Sequence, residues 1–86
     1  LEQNYPNPFN PSTKIIFSVP SILSNKNISL KIYNILGILV SELASGKFPA
    51  GDHEVIWDAA NSPSGIYFYK LLSENLSITK KMVLLK

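Results

Sequence analysis

Hydrophobic and polar residues alternate along most of this chain, a pattern typical of β-strands with one buried face. The alternation is cleanest between Asn27 and Tyr33, where Ile28, Leu30 and Ile32 point one way and Ser29, Lys31 and Tyr33 the other. Turn residues separate such segments at intervals of about 8 to 15 residues. Six strands are therefore predicted, over residues 13–19, 27–33, 38–43, 52–58, 65–72 and 77–85.

Short strands at this spacing predict an all-β fold, an antiparallel β-sandwich of the immunoglobulin-like or fibronectin III-like type with six to seven strands. The seventh would be a short edge strand before Pro11. A helix over residues 35–44 is the alternative to a strand there, although its β-branched residues and the flanking glycines disfavour it. Turns are expected at residues 21–27, 34–37, 45–51, 59–65 and 73–76.

Aromatic residues at two strands sharpen the prediction of a sandwich. Tyr67 lies near the start of a late strand, where the hydroxyl of a tyrosine corner folds back to the backbone just upstream. Tyr69 stands where antibody domains place a cysteine, and Trp57 is the natural core residue of the opposing sheet. If there is no corner, the two tyrosines are ordinary core residues. In either case the predicted structural core includes Trp57, Gly65, Tyr67 and Tyr69.

The composition fits one domain and excludes several classes of protein. The 86 residues suit a single domain, and a hydrophobic content of 45% provides enough apolar surface for one core. The chain has no cysteine, so it forms neither a disulfide nor a thiolate metal site. Arginine is absent, which argues against sequence-specific nucleic-acid binding. No apolar run approaches the ~20 residues of a transmembrane helix, so no insertion into a membrane is expected.

Positive charge is concentrated near the C-terminal end of the sequence. Residues 1–69 contain four lysines and five acidic residues, whereas residues 70–86 contain four lysines and one acidic residue. The pI of about 9.0 therefore comes from the second segment. Such a segment is either a set of solvated strand positions or a basic surface that meets a partner.

No constellation of catalytic or metal-binding residues is evident. The only histidine, His53, lies on a predicted strand whose alternation turns Asp52 and Glu54 to the opposite face. No nucleophile elbow and no glycine-rich phosphate loop is present. Asp52, Asp58 and Asn61 offer oxygen ligands, but their spacing matches no EF-type loop. We therefore expect a protein that is not an enzyme and uses no cofactor, with a structural Ca²⁺ left undecided.

Two other features leave weaker alternatives open. Scattered aromatic residues would suit a carbohydrate-binding module if they were exposed, although packing over sheet edges also explains them. Asn27 and Asn75 begin Asn-x-Ser triplets, the acceptor pattern for N-glycosylation, which also arises by chance. The aromatic candidates are Tyr5, Phe9, Tyr33, Phe48 and Phe68.

Five stretches of the sequence together resemble one protein family. They are NYPNPFNPSTKIIFSVP, LKIYNILGILVSEL, LASGKFPAGDHEVIWD, SGIYFYKL and TKKMVLLK, in the family's order and at its spacing. The family is the type A C-terminal sorting domain of the type IX (Por) secretion system of Bacteroidetes. It is similar to the immunoglobulin-like domain of flagellar hook-capping proteins. The resemblance covers essentially the whole chain, with one departure: Leu36-Gly37-Ile38 stands where many members have glycine followed by Arg or Lys.

The resemblance implies an immunoglobulin-like domain at the C-terminus of a larger exported cargo protein. In that family the cargo crosses into the periplasm, and an outer-membrane translocon then recognises the folded domain. A surface sortase commonly cleaves the domain off and attaches the cargo to the cell surface, or the cargo is released. The implied partners are the translocon, the sortase and the upstream cargo domain. The chain begins at Leu1 and not at methionine, which agrees with a piece of a longer protein.

The family's motifs map onto three parts of this sequence. The C-terminal motif is the part most associated with translocon recognition, and the lysine-rich segment coincides with it. The N-terminal motif comprises Asn4, Tyr5, Pro6, Asn7, Pro8, Phe9 and Asn10; the central motif Gly65, Ile66 and Tyr67; the C-terminal motif Lys80, Lys81, Met82, Val83 and Leu84.

The N-terminal segment, residues 1–12, is predicted to form a rigid collar before the sorting domain, residues 13–86. Pro6, Pro8 and Pro11 fix φ and bias the preceding residues toward extended geometry. Phe9 would cover an open end of the core, and the segment would shield a sheet edge from aggregation. Two alternative functions remain open: a passive spacer or scaffold module of a multidomain extracellular hydrolase, and a carbohydrate-binding accessory module.

Overall fold

The chain folds into two antiparallel sheets that pack as a β-sandwich, as seen in a computed structural model that describes residues 1–74 and 76–86. The elements in these residues are β1 (Ser12–Val19), a single turn of 3-10 helix (Ser21–Leu23), β2 (Asn27–Asn34), β3 (Leu39–Lys47), β4 (Gly51–Asp58), β5 (Gly65–Ser73) and β6 (Leu76–Leu84). β1 pairs with β4 in one sheet, and the other sheet has the order β3-β2-β5-β6. The predicted all-β fold of six strands is confirmed, and the architecture is compatible with an immunoglobulin-like sandwich.

The core forms because alternate side chains of both sheets turn inward. In β2 the buried and partly exposed residues alternate from Ile28 to Tyr33, as predicted. Trp57 of the smaller sheet is buried, and its ring centroid lies 5.2 Å from that of Tyr67 in the larger sheet. Burying one large apolar side chain contributes about 1.5–3 kcal/mol, so these inner faces dominate the stability of a small domain. The fully buried large side chains are Ile15, Phe17, Leu30, Ile32, Tyr69, Met82 and Leu84.

The predicted tyrosine corner is present at the start of β5. The Tyr67 hydroxyl donates a hydrogen bond of 2.6 Å to the carbonyl oxygen of Pro63, four residues upstream. Gly65 begins the strand with a φ of 152°, a backbone conformation that residues with a side chain rarely adopt. The corner therefore fixes the loop that leads from β4 into β5.

Two predicted boundaries and one alternative are wrong. Residues 45–47 continue β3 instead of forming a loop, because Ser45 and Lys47 pair with β2. The helical alternative over residues 35–44 is excluded, since Leu39–Lys47 is a strand. The predicted turn at residues 73–76 is shorter, because Ser73 pairs with Leu76. Of the two positions between them, Glu74 lies in the turn and Asn75 lies outside the described residues.

The turn between β2 and β3 lies where it was predicted and has a local cause. The Asn34 side-chain oxygen accepts hydrogen bonds from the N–H groups of Leu36 and Ile38, at 2.9 and 3.0 Å. Such a side-chain bond two residues ahead mimics a backbone turn. The turn and the start of β3 expose five large apolar residues: Ile35, Leu36, Ile38, Leu39 and Val40.

Candidate functional site

The N-terminal segment lies first along the free edge of β1. The Glu2 N–H donates to the Ile16 carbonyl at 3.0 Å. Tyr5 and Lys14 exchange two backbone hydrogen bonds, of 2.9 and 2.8 Å. β4 pairs with one edge of β1 and leaves the other edge free. The bonds from the N-terminal segment pair some of the backbone N–H and C=O groups on that free edge.

The same segment then crosses to the free edge of β6. The Phe9 N–H donates to the Val83 carbonyl, and the Leu85 N–H donates to the Phe9 carbonyl, each at 3.0 Å. The Asn7 side-chain oxygen accepts the N–H of Val83 at 3.0 Å. The predicted seventh strand is therefore present only as isolated bridges to β1 and β6. The N-terminal segment joins the two sheets along one side of the sandwich.

A buried hydrogen-bond network holds this segment to β5. The Tyr69 hydroxyl donates to the Glu2 carbonyl at 2.7 Å and accepts the Asn4 N–H at 2.8 Å. The Asn4 side-chain amide donates to the Thr13 hydroxyl at 2.9 Å and to the Pro6 carbonyl at 3.1 Å. The Thr13 hydroxyl donates to the same Pro6 carbonyl at 2.9 Å. Burial raises the pKa of Tyr69 above its ordinary value of 10.0, and the bond from Asn4 opposes this shift in part.

Sequence reasoning predicted Tyr69 as a core residue but missed its part in holding the N-terminal segment. The available signal was chemical: a buried tyrosine hydroxyl usually has a hydrogen-bond partner. Thr13 was also missed, although it is only 2% exposed. A partner for Tyr69 at the other end of the chain cannot be located from sequence spacing.

The N-terminal motif divides into buried and exposed members. Asn4 and Phe9 are buried, and the Phe9 ring centroid lies 5.7 Å from that of Trp57. The prediction that Phe9 covers an end of the core is confirmed. The alternative that Phe9 is an exposed aromatic residue available to a sugar is wrong. The remaining members are exposed: Tyr5, Pro6, Asn7, Pro8 and Asn10. The boundary drawn between residues 12 and 13 stays a prediction, but the hydrogen bonds run across it.

The C-terminal motif also divides, because it forms the last part of β6. Met82 and Leu84 are fully buried in the core. Lys81 is exposed, while Lys80 and Val83 are half-buried. Of this motif, the folded domain therefore exposes its two lysines and Val83 at least in part, and buries Met82 and Leu84.

The basic C-terminal end is part of the folded domain, not a free tail. The Lys86 N–H donates to the Ser64 hydroxyl at 3.0 Å, and its Nζ donates to the Ala60 carbonyl at 2.6 Å. Both contacts lie in the loop between β4 and β5. The lysine-rich segment is therefore held within the sandwich up to its last residue.

His53 has a structural environment. Its Nε2 lies 2.8 Å from the Pro49 carbonyl oxygen, and its ring lies against the rings of Phe17 and Phe48, at centroid distances of 5.4 and 5.2 Å. The prediction that its face differs from that of Asp52 and Glu54 is confirmed by the burial alternation in β4.

Two of the three oxygen ligands considered for Ca²⁺, Asp52 and Asp58, have separate hydrogen-bond partners. Asp52 accepts a hydrogen bond from the Ser18 hydroxyl, and Asp58 accepts the Ala60 N–H. Among residues 1–74 and 76–86, no cluster of three His, Cys, Asp or Glu side chains is placed to hold a metal ion.

Two further expectations concern membranes and glycosylation. In the part of the chain that the structure describes, no helix has the length and apolarity to cross a membrane. Two N-glycosylation triplets were noted in the sequence. Asn27 of the first is the first residue of β2, and Asn75 of the second lies outside the described residues.

The fold and the bound N-terminal segment define an immunoglobulin-like module, and one comparison assigns it to a family. The model of the secretion system C-terminal sorting domain family matches residues 3–85. The chain therefore belongs to this family, the C-terminal sorting domains of the type IX secretion system. Searches of curated proteins and of solved structures gave no match. A sorting domain of this kind marks a secreted protein that is trafficked to the cell surface or exterior, with a cargo linked to the type IX machinery.

Proposed function

We propose that this domain is the non-catalytic sorting signal of a larger exported protein, and that the outer-membrane translocon recognises it in the folded state. Recognition takes place in the periplasm, and the cargo upstream is then attached to the cell surface by a sortase or released. The observation that carries this proposal is the family match over residues 3–85.

The fold supports recognition of a folded domain, because it brings the family's motifs together. Asn7 and Phe9 of the N-terminal motif bond to Val83 of the C-terminal motif. Tyr67 of the central motif contacts Trp57, against which Phe9 also packs. Three motifs that are distant in sequence therefore meet in one folded unit. A partner that needs all three recognises them most directly when the sandwich is intact.

The environment of the one histidine supports a role without catalysis. A general base must reach the proton that it abstracts. The His53 ring instead packs against Phe17 and Phe48, and its Nε2 lies 2.8 Å from the carbonyl oxygen of Pro49. The proposed role is therefore one of binding, with the chemistry of attachment belonging to the sortase.

The test is export of a reporter fused ahead of Leu1 in a bacterium with a type IX system. Substituting Lys80→Gln and Lys81→Gln together should leave the reporter in the periplasm. Deleting residues 80–86 is a poorer test, because it also removes Met82 and Leu84 from the core. The matched control is Lys14→Gln with Lys26→Gln, two exposed lysines elsewhere, which should not change delivery. Undiminished surface delivery of the Lys80/Lys81 variant would refute recognition through these lysines.

A further inference from the structure

One outer surface of the larger sheet combines aromatic and lysine side chains. Residues directly opposite each other in an antiparallel pair lie on the same face. Tyr33 of β2 is opposite Phe68 of β5, which is opposite Lys81 of β6. In the next row along the sheet, Lys70 of β5 lies between Lys31 of β2 and Thr79 of β6. We call Tyr33, Phe68, Lys70 and Lys81 the aromatic–lysine patch.

The patch contains a groove beside the β2–β3 turn. The groove has a volume of about 300 Å³, and Tyr33, Phe68, Lys70 and Thr79 line it together with Asn34, Ile35 and Gly37 of the turn. Lys70 Nζ lies 5.4 Å from the centroid of the Tyr33 ring, within the range of a cation–π contact. Ile35 is largely exposed and extends the apolar wall. The groove therefore offers apolar walls next to an ammonium group.

The positive charge of the patch is not neutralised within the described part of the chain. Glu42 of β3 lies in the same row as Lys70, but it pairs at 3.8 Å with Lys31, which stands between them. Neither Lys70 nor Lys81 forms a salt bridge with any residue in 1–74 or 76–86. Two ammonium groups beside an apolar groove complement a partner that carries carboxylates next to an apolar side chain.

The outer surface of the smaller sheet has the opposite character. Asp52, Glu54 and Asp58 alternate along β4 as exposed residues, and Lys14 of β1 lies 3.6 Å from Glu54. Ile56 is exposed among these acids. The two faces of the sandwich therefore differ in charge, and a partner that prefers the basic face is repelled from the other.

We infer that the aromatic–lysine patch is the surface through which the folded domain binds the translocon, and that it takes an acidic, apolar segment of a translocon protein. This inference rests on the proposed function and names the recognition surface for it. Met82 and Leu84 face the core, so Lys81 is the exposed residue of the C-terminal motif that lies on this face. Its neighbours across the sheet are Phe68 and Tyr33, and neither is among the residues of the N-terminal, central or C-terminal motif. Phe68, Lys70 and Tyr33 are therefore recognition residues, and the signal is a two-dimensional surface.

The experiment uses the same reporter fusion with substitutions on the two opposite faces. Lys70→Glu, Lys81→Glu and Phe68→Ser should each lower the ratio of surface to periplasmic reporter by about tenfold. Lys70→Arg keeps the charge and should retain delivery. The matched controls are Glu54→Lys and Ile56→Ser, an exposed charge and an exposed apolar residue on the opposite face, which should leave delivery unchanged. Thermal melts of each purified variant establish that it is folded, and the two lysine variants test the surface even where Phe68→Ser lowers stability.

The outcomes separate the two proposals. If the wild-type fusion is not delivered, the proposed function fails. If the wild type is delivered and the patch variants are delivered equally well, the sorting function stands and the patch is not its recognition surface. Equal losses with the opposite-face controls also overturn the inference. Sedimentation of the purified domain tests whether a second copy of the domain occupies the patch. If the wild type self-associates and both Lys70→Glu and Glu54→Lys abolish this, the patch is a contact between copies. That result would overturn the translocon as its partner.

Discussion

Asn4 and Tyr69 are 65 residues apart in sequence, yet the N–H of the first donates a hydrogen bond of 2.8 Å to the hydroxyl of the second inside the domain. The same hydroxyl donates to the carbonyl of Glu2. A single side chain of β5 therefore fixes the backbone of the N-terminal segment. The segment is part of the folded unit, so its contribution is measurable as stability.

Replacing Tyr69 by phenylalanine should lower the free energy of unfolding by about 1–3 kcal/mol, because the Asn4 N–H and the Glu2 carbonyl lose their buried partner. Urea denaturation measures this change. Tyr5→Phe is the matched control, since Tyr5 lies in the same segment and is 77% exposed. Equal denaturation midpoints for the wild type and Tyr69→Phe would show that the hydroxyl does not hold the segment.

The contribution of Tyr69 should also depend on pH. Burial raises its pKa in the folded state above 10.0, so the neutral hydroxyl is favoured by folding. Its stabilising contribution is complete below the unfolded pKa and is lost as the pH rises through the higher, folded pKa. The difference in melting temperature between the wild type and Tyr69→Phe should therefore shrink above about pH 10. A difference that stays constant from pH 8 to about pH 11 would contradict this.

Phe9→Ala should destabilise the domain strongly, by about 3 kcal/mol, because it opens a cavity beside Trp57. Tyr5→Ala removes an exposed aromatic residue from the same segment and should change stability by no more than about 0.5 kcal/mol. Thermal denaturation of the two variants gives the comparison. Similar losses for both would mean that Phe9 does not cover the core.

The exposed apolar turn between β2 and β3 should govern solubility more than stability. Leu36 and Ile38 are 79% and 57% exposed, so Leu36→Lys and Ile38→Lys should change the free energy of unfolding by about 0.5 kcal/mol or less. Both should raise the protein concentration at which light scattering detects aggregates, because they reduce an exposed apolar surface. If aggregation is unchanged, the surface that causes it lies elsewhere, for instance at the unpaired edge of β3.

Local pattern predicted the strands well where alternation was strict. β2 was expected over residues 27–33 and ends one residue later, and the Tyr67 corner has the predicted hydrogen bond. The extension of β3 through Gly46 was missed because pairing with β2 overrides the local turn signal of glycine. The hydrogen bonds of Asn4 and Thr13 were missed because the network that they form depends on β5, far along the chain.

The candidate recognition site was predicted as a linear motif, and the structure divides it. The alternation of β6 already implied that Met82 and Leu84 share a face and that Lys81 lies on the other. The neighbours of Lys81 could not be predicted, because strand order and register bring Phe68 and Tyr33 beside it. Ile35, Leu36 and Ile38 are exposed although apolar residues are usually buried. They lie in a tight turn, which has no face turned toward the core.

The measurement that tests the central claim most directly is the location of a reporter fused ahead of Leu1, compared between a type IX host and the same host without the translocon. The sorting-signal account predicts reporter at the cell surface or in the medium of the first strain, and in the periplasm of the second. A reporter that reaches the same compartment in both strains would contradict it and leave the domain as a spacer.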